Sequence, residues 1–359
     1  MSYTNGLDKP TDYFNTVLYS GNSSTNAITG VGHQPDFTWI KRRNNAEGHI
    51  LIDSVRGVDK RLGSNVTSAE STVTYFTSFD TDGFTVNGTN VATNASGGTF
   101  CAWNWLAGGT ASSNTDGSIT SSVSANTTAG FSIVSYTGNG SAGSTIGHGL
   151  GQKPDFIIVK ARNNASQNWL IYHSDLGAGK YLFMNTNGTV TTNNNVWNGT
   201  EPTSSVFSVE SNNASNGSGV TYIGYCFVEK KGYSKFGSYT GNGNADGTFV
   251  YTGFKPAWIM VKRTDATEVW HILDNKRDPF NKNADWKYLD PASSGAEYDN
   301  NQHDFLSNGF KIRAAGANSN ASGASHIYMA FAENPFVTST GIPTCARWFV
   351  LTQIVIMRL

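Results

Sequence analysis

The chain has 359 residues, with 25 basic against 26 acidic side chains, a net charge of −1 and only 14% charged residues. Such a balance supplies no long-range field for nucleic acid or an anionic membrane, and so few charges exclude a coiled coil or a charged disordered tail. With 39 glycines and 12% aromatics, the composition points to many short strands joined by Gly/Asn/Ser/Thr turns, with aromatic and β-branched residues filling narrow cores.

From the N-terminus, MSYTNGLDKPTDYF shows no basic stretch leading into an apolar one, so no cleaved leader is expected. Cys101, Cys226 and Cys345 are far apart, without a CxxC pair or a nearby His cluster, so neither a disulfide framework nor a zinc site is expected. The longest apolar run, Trp348 to Leu359, is shorter than the ~20 residues of a membrane-spanning helix, and no membrane insertion is expected. The many Asn-x-Ser/Thr triplets read as turn chemistry in a chain this rich in those residues.

The chain repeats itself three times. VLYSGNSSTNAITGVGHQPDFTWIKRRNNAEGHILID from Val17 recurs as VSYTGNGSAGSTIGHGLGQKPDFIIVKARNNASQNWLIYHSD from Val134, and again as GSYTGNGNADGTFVYTGFKPAWIMVKRTDATEVWHILD from Gly237. Its anchors are Tyr19, Tyr136 and Tyr239, then Pro35, Pro154 and Pro256, then Lys41, Lys160 and Lys262. Successive prolines are 119 and 102 residues apart, a domain-sized period well above the ~20–50 residues of solenoid units. A looser second half contains Asn-Ala-Ser in each copy (Asn94, Asn213, Asn320), followed by an aromatic-rich strand. Segments such as Phe156-Ile157-Ile158-Val159 are apolar on both faces, as in a covered sheet.

The expected fold is all-β: three tandem, separately folded β-sandwiches of concanavalin-like or jelly-roll type, followed by a strand-like tail. The boundaries are 1–108, 131–230 and 231–336 for the sandwiches, 109–130 for a polar linker, and 337–359 for the tail. Tyr19, Tyr136 and Tyr239 should coincide on superposition, as should Phe37, Phe156 and Trp258.

The phrases DYFNTVLYSGN, GVGHQPDFTWIK, DSVRG, VSANTTAGFSIVSYTGNGSAG and IGHGLGQKPDFIIVK resemble a family of repeat proteins of tailed bacteriophages, notably marine ones, associated with tail fibres and other virion structures. The resemblance runs from about Asp12 to Pro335. It implies lectin-like sandwich modules in a virus particle, with no catalytic residues to carry over. The expected function is that of a virion structural protein, a fibre-like or surface appendage touching a host-surface glycan. The alternatives are a capsid decoration or head-fibre protein without host recognition, and a self-assembling extracellular filament subunit. The expected partners are further copies, other virion proteins and a host glycan, and the expected location is the virion.

No motif rises to an active site. Gly138, Gly140 and Gly143 match GxGxxG, but turn and strand follow where a dinucleotide fold needs a helix. His33 and His148 recur without a second ligand. Asp80-Thr-Asp82-Gly83 lacks the rest of a calcium loop, and copy three has Leu306-Ser-Asn308-Gly309 there. Asp53 and Asp274, with Asp175 near the corresponding place and Arg56 and Arg277 following, read as turn or ion-pair residues more simply than as a hydrolytic carboxylate pair. The protein is therefore expected not to be an enzyme and to need no cofactor or metal. Two loops carry the glycan-contact candidates, Asn195, Trp197 and Asn198 in one and Asp285 and Trp286 in the other, where a ring could stack on a sugar. Phe349, Leu351, Ile354 and Ile356 in the apolar tail are the candidate assembly strand, since an unpaired apolar strand seeks a sheet edge.

Overall fold

The computed structural model describes residues 7–281, 287–299 and 303–335. Almost all regular structure there is antiparallel β, beside a single 3-10 turn at Pro10–Asp12 and a one-turn helix, α1, at Ala317–Asn320.

The first repeat runs through β1 (Phe14–Ser20), β2 (Asn26–Ile28), β3 (Phe37–Arg42), β4 (Ile50–Asp53), β5 (Lys60–Arg61), β6 (Ser71–Thr72), β7 (Phe76–Asp80), β8 (Gly83–Val86) and β9 (Thr99–Trp105). Its large sheet has the order β1-β9-β3-β4, its small sheet β2-β8-β7, and β5 and β6 form a hairpin. Next come β10 (Ser112–Asn114) and β11 (Ser121–Asn126).

The second repeat comprises β12 (Phe131–Thr137), β13 (Ser144–Gly147), β14 (Phe156–Ala161), β15 (Leu170–His173), β16 (Lys180–Phe183), β17 (Thr191–Thr192), β18 (Val206–Val209) and β19 (Thr221–Phe227). Its large sheet has eight strands, in the order β10-β11-β12-β19-β14-β15-β16-β17, over a small pair, β13-β18. The third repeat returns to the first pattern with β20 (Ser234–Thr240), β21 (Phe249–Tyr251), β22 (Phe254–Arg263), β23 (His271–Asp274), β24 (Lys287–Tyr288), β25 (Tyr298–Asp299), β26 (His303–Leu306), β27 (Gly309–Ile312) and β28 (Ser325–Pro335). The sheet orders are β20-β28-β22-β23 and β21-β27-β26, with β24 paired to β25.

The anchor residues coincide as expected. The phenol hydroxyls of Tyr19, Tyr136 and Tyr239 donate to the carbonyls of Thr93, Ser215 and Ser319 at 2.7, 2.7 and 2.8 Å. Phe37, Phe156 and Trp258 sit opposite Trp105, Phe227 and Phe331 in the same register. One anchor moves. Asn94 and Asn320 accept the backbone N–H of Asn22 and Asn242, but Asn216 does this for Asn139 in the second repeat. The residue after the carbonyl that receives the tyrosine is what the geometry repeats, so Asn216 replaces Asn213 of the Asn-Ala-Ser triplet.

Each repeat is a sandwich with its own core. In the first, Val17, Ile40, Ile52, Phe100 and Ala102 of the large sheet meet Ile28, Phe76, Phe84 and Val86 of the small one, and comparable cores fill the second and third. Strand side chains alternate between faces, so Phe14, Phe37, Trp39, Cys101, Trp103 and Trp105 point the other way. They do not meet water. They join Phe156, Ile158, Tyr225, Phe227, Trp258, Met260, Met329, Phe331 and others in a single cluster drawn from all three repeats. At its centre the register-equivalent rings of Trp105, Phe227 and Phe331 form a triangle, with centroids 6.5, 5.8 and 6.0 Å apart.

The expectation of three separately folded domains is thereby corrected. The large sheets are apolar on both faces because one face closes a sandwich and the other a common core. The polar linker at 109–130 is corrected as well. Its Ser121–Asn126 pairs along β12 and Ser112–Asn114 pairs along β11, because alternating small hydroxyl residues satisfy a sheet edge without needing an apolar face of their own.

Candidate functional site

The three repeats close in a ring, and the recurring lysines build the seams. Lys160 donates from Nζ to the carbonyl of Thr67 in the first repeat, Lys262 to Asn187 in the second, and Lys41 to Ser294 in the third, at 2.9, 3.3 and 3.2 Å. Each ammonium also donates to a carbonyl of its own repeat: Gln167 for Lys160, Glu268 for Lys262 and Arg42 for Lys41. All three residues are fully buried, and burial pulls their ammonium groups down to about 8. Backbone bonds follow the same cycle, from Glu70 to Arg162, Val190 to Thr264 and Glu297 to Arg43.

Two seams add a buried ionic network. Between the first and second repeats, Arg56 pairs with Asp53 and Glu70, and Glu70 pairs with Arg162. Tyr225 donates to the same Asp53 carboxylate at 2.7 Å. Between the third and first, Arg277 pairs with Asp274 and Glu297, Arg43 pairs with Glu297, and Trp103 donates to Asp274 at 3.0 Å. Asp53 and Asp274 are thus ion-pair residues within seams. Burial opposes charge on both arginines, but the adjacent carboxylates outweigh it and hold the guanidinium groups above their ordinary value.

The seam between the second and third repeats replaces the whole set. Register puts His173 opposite Phe156 where Asp53 lies opposite Phe37, so His173, and not Asp175, is the counterpart. Leu176 stands for Arg56, Val190 for Glu70, Thr264 for Arg162 and Met329 for Tyr225. Without a ring N–H or O–H from Met329, a carboxylate here would be buried unpaired. His173 is neutral instead, its pKa lowered by burial, and its Nε2 lies 3.3 Å from the carbonyl of Tyr328.

Along this third seam runs the candidate site. Two adjoining depressions of about 490 Å³ each share Asp175, Ser238 and Tyr239. The floor is β20 from Lys235 to Thr240. One wall comes from the second repeat, with Asp155, Ser174, Asp175, Leu176 and Lys180, and the other includes Phe249 and Tyr251 of β21. Phe249 is 42% exposed. Lys235 is already paired with Glu229, so the Asp155 and Asp175 carboxylates leave the depression at the Lys235 end acidic, while Lys180 lines the adjoining one.

The sequence-derived glycan candidates fall elsewhere. Trp197 is buried, edge-on to Tyr172 and Phe207 in the core of the second sandwich, and it offers no face to a sugar; its loop folds back because the large ring fills that core. Asn195 is exposed and caps a turn through its N–H to Asn193, while Asn198 sits at φ 54° with its amide on Thr200. Asp285, Trp286, and the tail residues Phe349, Leu351, Ile354 and Ile356 lie outside the described residues.

The other motifs are structural. His33 lies 3.0 Å from the Thr11 carbonyl, and His148 accepts the N–H of Leu150 while bonding Thr203. Asp82 accepts the N–H groups of Gly30 and Gly32. Gly83 and Gly309 close matching turns, where a Cβ would lie 1.9 Å from the Ile28 carbonyl oxygen or 2.1 Å from that of Val250.

A family model, a domain of unknown function (DUF7483), matches residues 9–335. The chain belongs to this family. That one model spans all three repeats, in keeping with a core they share. No curated protein and no solved structure matches the chain.

Proposed function

We propose that this DUF7483 protein is a non-catalytic structural subunit of a tailed-bacteriophage particle, an appendage or surface component that works by binding. The observation that carries the reading is how the recurring polar residues are used. Lys41, Lys160 and Lys262 tie neighbouring repeats together, Asp53 and Asp274 are locked to arginines, and Tyr19, Tyr136 and Tyr239 pin loops. What the copies share is therefore architecture, and what differs between them lies in loops and seams. A closed three-part body also suits a site of threefold symmetry on a particle. The resemblance of the repeat phrases to phage virion proteins supports the same reading.

Host-surface glycan contact is part of the proposal, carried by exposed polar loops such as the one holding Asn195 and Asn198. Gold-labelled antibody on intact particles should decorate the tail or the shell, and decoration of neither would overturn the virion assignment. A glycan array probed with the whole chain tests the contact separately. Binding that survives Asn195→Ala and Asn198→Ala would remove that loop from the account.

A further inference from the structure

The two periods of the sequence differ by 17 residues, and the structure shows where they go. After β9 the chain runs on through Ala107 and Gly109, whose N–H groups both bond to Asp36. It then forms β10 and β11 before entering β12. Strand β11 lies along the whole outer edge of β12, antiparallel, from Ser121 opposite Tyr136 to Asn126 opposite Phe131. After β19 the chain turns at once, with the Lys230 N–H on the Ser234 hydroxyl and the Tyr233 N–H on the Lys230 carbonyl, and enters β20 directly. The equivalent edge of β20 therefore has no strand on it among the described residues.

Among the described residues that edge is open to pairing except at the Thr240 carbonyl. The N–H of Gly241 bonds inward to Ala324, as Gly138 bonds to Val220 in the second repeat. Backbone groups alternate in direction along an antiparallel strand, so Phe236, Ser238 and Thr240 present their N–H and C=O outward. The Thr240 carbonyl accepts the Thr248 hydroxyl on that side. Asp155 occupies the place of Asp36, accepting the Glu229 N–H as Asp36 accepts that of Ala107, and Ser174 the place of Ser54, so these two wall positions recur from the occupied seam.

We infer that the groove along β20 is a docking site for an extended peptide segment of a partner protein, which adds as an antiparallel strand in the position β11 holds on β12. The segment is one of small and β-branched residues like Ser121-Ser122-Val123-Ser124-Ala125-Asn126. An antiparallel strand brings its carboxyl end to Ser234 and Lys235, where Asp155 and Asp175 favour a basic residue. This inference does not depend on the virion reading.

The probe is a synthetic peptide with the sequence of residues 119–127 followed by two lysines, with the same peptide ending in two glutamates as control. Added to the whole chain, the lysine peptide should protect backbone amides of β20 from hydrogen exchange, and it should bind at least tenfold more tightly than the glutamate form. Ser238→Pro removes one outward donor at an edge where proline is tolerated. It should weaken binding at least tenfold with an unchanged melting temperature. A second variant inserts residues 109–128 between Lys230 and Lys231, supplying the missing hairpin in cis, and should abolish peptide binding. Protection away from β20, or equal binding by Ser238→Pro, would overturn the inference. So would binding seen only after truncation following Cys345, which would mean that the chain fills its own groove. Concentration-dependent dimerisation that buries β20 would identify a second copy as the occupant and overturn it too.

Discussion

At the residue scale, the central triangle and the seam arginines are where single changes should matter most. Phe227 touches Trp105 and Phe331 in a core that no one repeat can close alone. Phe227→Ala leaves a cavity bounded by all three repeats and should cost about 3–5 kcal/mol, read as a lowered denaturant midpoint with the slope unchanged. Arg56 makes the opposite kind of contribution. Removing one partner from a buried ion pair leaves the other charged and desolvated, which costs about 3–5 kcal/mol. Arg56→Leu alone should show that loss, since it leaves the buried Asp53 carboxylate without its cation while Glu70 keeps Arg162. The set Asp53→His, Arg56→Leu, Glu70→Val, Arg162→Thr and Tyr225→Met copies the seam between the second and third repeats and should regain most of it. If the fivefold variant is no more stable than Arg56→Leu, the two kinds of seam are not interchangeable solutions.

At the element scale, the strands and their order of recurrence were legible because Pro, a six-residue spacing and Lys mark the same strand three times. The both-faces-apolar pattern of Phe156–Val159 was also a visible sign of a covered sheet. What covered it was not visible, because the partner is the large sheet of another repeat and periodicity carries no information about contacts 100 residues away. Glu70 and Arg162, 92 positions apart, illustrate the same limit. The serines and threonines of the hairpin at 109–130 look like the turn chemistry of a linker, whereas on a sheet edge the backbone does the pairing. Trp197 misled for the converse reason: polar neighbours in sequence say little about where a large ring packs.

The third sandwich also carries histidines where its siblings use apolar or aromatic residues. His271 stands in the register position of Ile50 and Leu170, and His326 in that of Phe100 and Tyr222. His303 joins them, bonded to Tyr288 at 2.7 Å. Burial, their mutual repulsion and the nearby Lys262 ammonium hold His271 down to about 3. Burial, opposed in part by the Ala324 carbonyl and Asp265, holds His326 to about 4. Above the unfolded value of about 6.5 both states are neutral and the histidines impose no pH dependence. As pH falls below that value the unfolded chain takes up protons that the folded chain refuses, so stability is lost. At pH 5 the loss is about 2 kcal/mol for each of these two residues. The variant His271→Leu/His326→Phe should lose clearly less stability between pH 7 and pH 5 in paired denaturant titrations. Parallel curves for variant and parent would show that other groups govern the acid limb.

At the scale of the whole molecule, the common core decides how the chain unfolds. Each large sheet exposes an aromatic face when its neighbours are removed: Phe131, Ile133, Phe156, Ile158, Tyr225 and Phe227 for the second repeat alone. A free unit would leave this surface in water and would lose the bonds that Lys160 and Lys262 make across its seams. Contiguous apolar surface on that scale drives association in a soluble monomer. Residues 109–230 expressed alone should therefore aggregate or remain partly unfolded. The described body should melt in one cooperative transition, with calorimetric and van't Hoff enthalpies in agreement, despite its threefold internal repetition. Repeat arrays whose units touch only sequence neighbours tend to come apart stepwise, whereas here the first and third repeats also meet, through Lys41 and Ser294, Arg43 and Glu297, and Trp103 and Asp274. Lys41→Met leaves the Ser294 and Arg42 carbonyls without their donor, at a cost of about 1–3 kcal/mol. If closure of the ring is what makes the body one unit, that substitution should lower the single transition as a whole. A third-repeat transition splitting away in the variant, with the parent still two-state, would locate the cooperativity in that closing seam alone.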